Sequence, residues 1–171
     1  MKVTVIYGTD NGNTRTVAEQ IAARSQGKVV EVSGATKADF EDCDLLILGT
    51  PTCGYGDLQY DWDARLNFLS EVDFTDKKIA LFGLGDQNSY ADTFVDAMGI
   101  LYEALAERNV ELVGFTSTED YNFESSRAVR DDQFVGLALD EDAEPHKTEE
   151  RIDAWLALLK LSVAEQESQA A

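Results

Sequence analysis

Asp44-Leu45-Leu46-Ile47-Leu48-Gly49 holds four consecutive apolar side chains, so neither face of this stretch is polar. A strand on a half-solvated sheet alternates apolar and polar residues, whereas a parallel strand covered by helices on both faces reads as an unbroken apolar run. Leu45–Leu48 therefore reads as an inner strand of a parallel sheet, with Gly49 at its carboxyl end. Upstream, Val3–Tyr7 has the same β-branched and apolar character and runs into Gly8. Downstream, Ile79–Phe82 runs into Gly83, and Val29–Val32 is a shorter strand. Helical spacing fills the gaps: Val17, Ala18, Ile21 and Ala22 share one face of Thr14–Arg24, and Arg65–Leu69 belongs to another helix. Phe94, Met98, Leu101 and Leu105 form a stripe, and Ile152, Trp155, Leu156 and Leu159 mark a last helix from Thr148 to Leu161.

Val110–Phe115 and Phe134–Leu139 are two further strand candidates. The segment between them, around Asp120-Tyr121-Asn122-Phe123, has no strong period. The alternation of strands and helices predicts a doubly wound parallel sheet with helices on both faces. A length of 171 residues without repeats or interior linkers predicts one domain over residues 1–163, with 164–171 as a frayed C-terminal tail.

The chain carries 14 Lys+Arg against 33 Asp+Glu, a formal net charge of −19. A binder of nucleic acid needs clusters of Lys and Arg to displace counterions, and none is present. An anionic membrane surface is disfavoured for the same reason, and no apolar run approaches the ~18–20 residues of a membrane span. The charge favours a partner with a basic face. Met1–Gly8 does not resemble a signal peptide, so a cytoplasmic protein is expected. Cys43 and Cys53 can form one bridge at most and match no zinc spacing. The acidic cluster Asp140, Glu141, Asp142, Glu144, Glu149, Glu150 lacks EF-hand spacing and reads as a solvated or partner-facing surface; no metal site is expected. His146 reads as a solvated loop residue, and Trp62 and Trp155 as packing residues.

In doubly wound sheets, ligands bind beyond the carboxyl ends of the strands. Three loops there carry candidate binding residues. Thr9-Asp10-Asn11-Gly12-Asn13-Thr14 leads into a helix whose N-terminus favours an anion, with hydroxyl and amide donors and a glycine for backbone closure. It lacks the Lys of a nucleotide-triphosphate loop, so it suits a terminal phosphate. Pro51-Thr52-Cys53-Gly54-Tyr55-Gly56 has two glycines around a tyrosine. Leu84-Gly85-Asp86, with Tyr90 beyond it, supplies an acceptor and a stacking ring but not a dinucleotide fingerprint. A flat ring on a phosphorylated chain, the shape of FMN, fills such a space.

With these motifs assembled, the chain resembles the flavodoxins, specifically their long-chain group, over essentially its whole length. Thr9–Thr14 matches the phosphate loop, Thr50-Pro51-Thr52 with Gly54 and Gly56 the second flavin loop, and Gly85-Asp86-Gln87 with Tyr90-Ala91-Asp92 the third. Phe134–Asp142 is similar to the close of the split fifth strand, with the preceding segment as the long-chain insertion. The resemblance implies a five-stranded sheet of order 2-1-3-4-5 whose fifth strand is split by that insertion. Asp142 resembles a position that reaches the ribityl chain. Asn11 stands where the family often has Thr, and Cys53 where long-chain members usually carry a Trp against the flavin.

The resemblance further implies a low-potential electron carrier with non-covalently bound FMN and no catalytic residues of its own. It would shuttle between semiquinone and hydroquinone, passing electrons from a reductase to an acceptor such as nitrogenase, and act as a monomer. Gly54 is expected to offer its carbonyl to flavin N5–H. The alternative is an FMN-dependent NAD(P)H:quinone reductase, disfavoured because no second phosphate site is visible. A phosphoacceptor signalling domain is excluded, since no Asp follows Leu48 and Asp140 stands where its Lys would be.

Overall fold

A computed structural model describes the backbone of residues 1–170 and the side chains of residues 1–160. The elements run β1 Val3–Tyr7, α1 Asn13–Ser25, β2 Lys28–Glu31, α2 Lys37–Glu41, β3 Leu45–Cys53, β4 Asp57–Leu58, α3 Tyr60–Arg65 and β5 Lys78–Leu84. They continue with α4 Asp96–Ala106, β6 Glu111–Val113, β7 Thr116–Ser117, β8 Val129–Arg130, β9 Gln133–Phe134, β10 Leu137–Leu139 and α5 Thr148–Ala170.

The main sheet is parallel in the order β2-β1-β3-β5-β10, the expected doubly wound order. Val3–Tyr7 lies opposite Leu45–Gly49, and Leu45–Pro51 opposite Lys78–Leu84. The outer edge of β5 is shared: β6 pairs with Lys78–Ala80, and β10 with Phe82–Leu84. The fifth strand is thus split, as the family resemblance implies. Part of the chain between its halves builds a separate antiparallel sheet, β7-β9-β8. Phe134, expected in the second half-strand, pairs instead with Thr116 and Val129 in that small sheet. Its ring sits among Phe94, Tyr121 and Phe123 at centroid distances of 5.8, 5.0 and 5.3 Å, which anchors the insertion to the domain.

The apolar run in β3 explains the two-sided core. Leu46 and Leu48 join Ile6, Ile79 and Leu81 under Phe40, Trp62, Phe94, Met98 and Leu101. Leu45 and Ile47 join Val5, Ala80 and Phe82 under α1 and α5, against Val17, Ile21, Ile152 and Trp155. Each such side chain removed from water contributes roughly 1.5–3 kcal/mol, so neither face of β3 tolerates a polar residue. Trp62 and Trp155 are core residues, each satisfying its ring N–H on a backbone carbonyl, Gly49 O and Gly114 O, at 2.8 Å.

Local chemistry corrects several boundaries. Val32 belongs to a 3-10 turn rather than to β2. The short α2, not legible as a periodic segment, is nucleated by a capping box in which Thr36 and Asp39 bond each other's backbone N–H. Of the helix expected at Arg65–Leu69, only Arg65 is α-helical, as the last residue of α3, and Leu66–Glu71 form a 3-10 turn instead; α3 starts at Tyr60, where the Gln59 side chain caps it by accepting from Trp62 N at 3.2 Å. Phe94 packs just before α4, because Val95 takes a left-handed conformation at φ 49° and delays the helix start. The last helix runs to Ala170 instead of ending near Leu161, because no Gly or Pro interrupts it. Ala171, the end of the tail expected at 164–171, lies outside the described residues.

Candidate functional site

The loops that follow β1, β3 and β5 converge at one end of the sheet around a cavity of about 230 Å³. Asn11 lines it from the first loop and Asn13 from the start of α1, Pro51 and Thr52 from the last residues of β3, Leu84 from the end of β5, and Gly85, Asp86 and Tyr90 from the third loop; Asp142 closes it from beyond β10. Thr93 and Glu141 also line it. Sequence reasoning missed both, although each neighbours a residue it singled out, Asp92 and Asp142. Thr9, Asp10, Gly12, Thr14, Cys53, Gly54, Tyr55 and Gly56 belong to the same loops but lie outside the cavity lining.

Gly12 turns the first loop into α1 at φ 95°, a conformation only glycine adopts cheaply. Thr9 Oγ1 accepts from Gly12 N at 2.9 Å, and Asn11 Oδ1 accepts from Asn13 N at 3.1 Å. No acidic residue occupies the first turn of α1, so the positive end of its dipole is uncompensated by a side chain there. Thr14 is fully buried, and its hydroxyl oxygen has no hydrogen-bond partner. A buried unsatisfied hydroxyl costs ~1–3 kcal/mol. Its place beside a helix N-terminus fits a hydroxyl that an anion would satisfy.

In the second loop Gly54 and Gly56 both take positive φ, 51° and 84°. A Cβ on Gly56 would stand 2.7 Å from Asp96 Oδ2, so a larger residue there would displace that carboxylate besides straining the backbone at its positive φ. Thr52 Oγ1 accepts from Ala97 N at 3.1 Å and fixes the same junction. Cys53 donates its thiol to Asp10 Oδ2 at 3.1 Å. Burial, then that bond and the charges of Asp10 and Asp57, push the thiol up to about 12, so it remains protonated. Tyr55 is 85% exposed and meets Tyr90, itself 46% exposed, edge-on at 6.4 Å.

The third loop is held from below. Asp86 Oδ1 accepts from Asn88 N and Ser89 N, at 3.1 and 2.9 Å, which closes the turn. Gln87 N donates to Asp140 Oδ2 at 3.0 Å, while Asp140 Oδ1 accepts from Asp142 N and Ala143 N. Asp140, read from the sequence as part of a solvated or partner-facing acidic surface, is instead fully buried, because both its oxygens accept backbone N–H groups, and it ties the third loop to the segment bearing Asp142. Burial, then the charges of Asp86 and Asp140, raise the Asp142 carboxyl above its usual range. The cavity thus pairs a helix terminus that welcomes an anion with an acidic wall that accepts hydrogen bonds and disfavours added negative charge. Among the described residues no group of His, Cys, Asp and Glu could hold a metal ion, and no helix could cross a membrane. Cys43 is a buried free thiol, and His146 is exposed.

The flavodoxin family model matches residues 5–155. A flavodoxin of Synechocystis sp. is 45% identical over 163 residues, covering 93% of this chain and 96% of that protein. One of Nostoc sp. is 46% identical over 162 residues, covering 93% and 95%. Among solved structures, a Fusobacterium nucleatum flavodoxin bound to flavin mononucleotide superposes with a TM-score of 0.88 at 32% identity, covering 94% of this chain and 98% of its own.

Proposed function

This chain belongs to the flavodoxin family, and on that premise we propose that it carries single electrons with non-covalently bound FMN as its redox group. The observation that carries this reading is the buried, unpartnered Thr14 hydroxyl in the first turn of α1, next in the chain to Asn13, which lines the cavity. A phosphate there would satisfy Thr14 and draw donors from Thr9, Asn11, Asn13 and the Gly12 turn. Pro51–Gly56 and Tyr90 would hold the ring between them. Leu84, Gly85 and Asp86 would face its polar edge, and Asp142 the ribityl chain.

FMN supplies the redox chemistry when bound; the protein binds, orients and tunes it. Gly54, already at positive φ, can turn its carbonyl toward a ring N–H without the strain a Cβ would impose. Asp86 and Asp142 oppose negative charge on the ring, each by roughly 1–3 kcal/mol before salt screening, which lowers the potential of the last electron added. The carrier would therefore work between its one- and two-electron reduced forms. As a cytoplasmic monomer it would accept from a reductase and deliver to a low-potential enzyme such as nitrogenase, with basic faces on both partners meeting the −19 charge.

An absorbance spectrum of the purified protein, followed by FMN titration of the apoprotein, tests the cofactor. Visible flavin bands are the expected result, and an apoprotein that takes up no FMN would overturn the reading. Adding NADPH alone tests the carrier assignment. The flavin should stay oxidised until a reductase is supplied; rapid bleaching would identify an NAD(P)H:quinone reductase instead.

A further inference from the structure

Asp10 is the one acidic side chain in the segment Gly8–Thr14, and it sits within the loop that leads to the N-terminus of α1. A carboxylate free to turn into that loop would repel a phosphate. Here both of its oxygens are engaged, one by Cys53 at the end of β3 and one by Gln59 at the N-cap of α3. Oδ2 accepts from the Cys53 thiol at 3.1 Å, and Oδ1 accepts from Gln59 Nε2 at 3.1 Å.

Gln59 is fully buried and fixed from several sides. Its Nε2 also reaches Asp61 Oδ2 at 2.9 Å and Thr9 O at 3.5 Å, while its Oε1 accepts from Trp62 N at 3.2 Å. A Cβ on Gly8 would collide with the same amide, so the first loop lies directly against it. The amide is anchored on α3, and the first loop hangs on the amide.

We propose that Gln59, assisted by Cys53, is a positioning residue that holds the Asp10 carboxylate away from the anion cradle and so sets the preference for phosphorylated over unphosphorylated flavin. The inference rests on the FMN reading above. Because the thiol stays protonated across the physiological range, Cys53 remains a donor to Asp10 and does not become a second negative charge beside it.

The test is titration of the apoprotein with FMN and with riboflavin, read by quenching of flavin fluorescence. A released Asp10 carboxylate several ångströms from a phosphate should weaken FMN by about tenfold, at an effective dielectric between protein and water. Gln59→Leu should therefore raise the FMN Kd by about tenfold and the riboflavin Kd by no more than about twofold. In an Asp10→Ala background, the same substitution should change the FMN Kd less than about threefold, because no carboxylate is left to restrain. A purely structural role would weaken both flavins alike and would persist without Asp10; either result overturns the proposal. Should Gln59→Leu fail to fold, the ratio of FMN to riboflavin Kd in Cys53 variants decides. Cys53→Ala should raise the ratio, and Cys53→Ser, which keeps a donor, should restore it; an equal ratio in both variants would refute the latch. Wild-type protein that quenches neither flavin would overturn the FMN reading itself, and the latch with it.

Discussion

Thr14→Val should move the stability of the apoprotein and its affinity for FMN in opposite directions. Thr14 is fully buried in the first turn of α1, and its Oγ1 has no partner. Valine has nearly the same shape and a similar helix propensity, so the substitution removes little besides the hydroxyl. In the apoprotein the lost hydroxyl is an unsatisfied polar group, and its removal should stabilise the fold by about 1–3 kcal/mol. With a phosphate in place, the same hydroxyl donates to a charged acceptor, a bond contributing about 1.5–3 kcal/mol. FMN affinity should then fall by about one to two decades. Urea unfolding of the apoprotein measures the first effect, and fluorescence titration with FMN the second. A more stable apoprotein with unchanged FMN affinity would show that the phosphate lies elsewhere. A less stable apoprotein would show that the hydroxyl is satisfied in solution.

Three further expectations follow from other parts of the molecule. Gly54→Val would force a β-branched residue into φ 51° and bring its Cβ within 2.8 Å of Asp57 Oδ2. It should lower the yield of the one-electron reduced form at half reduction while oxidised FMN still binds, and an unchanged yield in a spectroscopic titration would mean that the loop contacts the ring passively. Electron transfer with a basic partner should slow as ionic strength rises through ~0.1 M, where the Debye length falls to ~10 Å; stopped-flow rates that rise steadily with salt would contradict steering by the −19 charge. Burial would raise the Glu144 carboxyl, but hydrogen bonds from Lys147, Gln87 and Arg151 outweigh it and hold the group at about 2 against its ordinary 4.5. The stabilisation is present above pH 4.5 and disappears as pH falls through about 2. Glu144→Gln should therefore destabilise the fold at pH 7 by about 1–3 kcal/mol, shrinking toward zero near pH 2 in denaturant unfolding curves.

The fold was legible because it rests on local patterns. Four apolar residues in a row at Leu45–Leu48 are compatible with a strand buried on both faces, and the structure puts alternate members into the two cores. The three binding loops were legible for a related reason: in a parallel sheet the residues after each strand must emerge at one end, so three glycine-containing segments in sequence become neighbours in space. The residues themselves offered two strand candidates around an aperiodic segment, and it was the family resemblance that implied they are halves of one split strand. The placement of Phe134 could not be expected, because a single aromatic residue beside Val135 reads as strand whichever sheet it joins. Its location follows from rings contributed by Phe94, Tyr121 and Phe123, which are distant in the chain.

Local pattern along the chain was enough for the main strands and the helices between most of them, the end of the sheet where a ligand belongs, and the polarity of the loops there. Which polar atoms are engaged within the protein and which are left over depends on contacts that exist after folding. Thr9 and Asn11 read as donors to a ligand; their oxygens also accept from the backbone of their own loop, which fixes the loop and leaves the Thr9 hydroxyl proton and the Asn11 amide N–H groups to donate. Thr14, chemically no different in the sequence, is the one left buried and unpartnered among these loop hydroxyls and amides. Gln59 carried no signal at all, because its role depends on Asp10 lying across from it, 49 residues away. Hydrogen bonds are short and directional, so a side chain's role at this site depends on neighbours brought together by folding, whereas apolar burial depends on a periodicity already written along the chain.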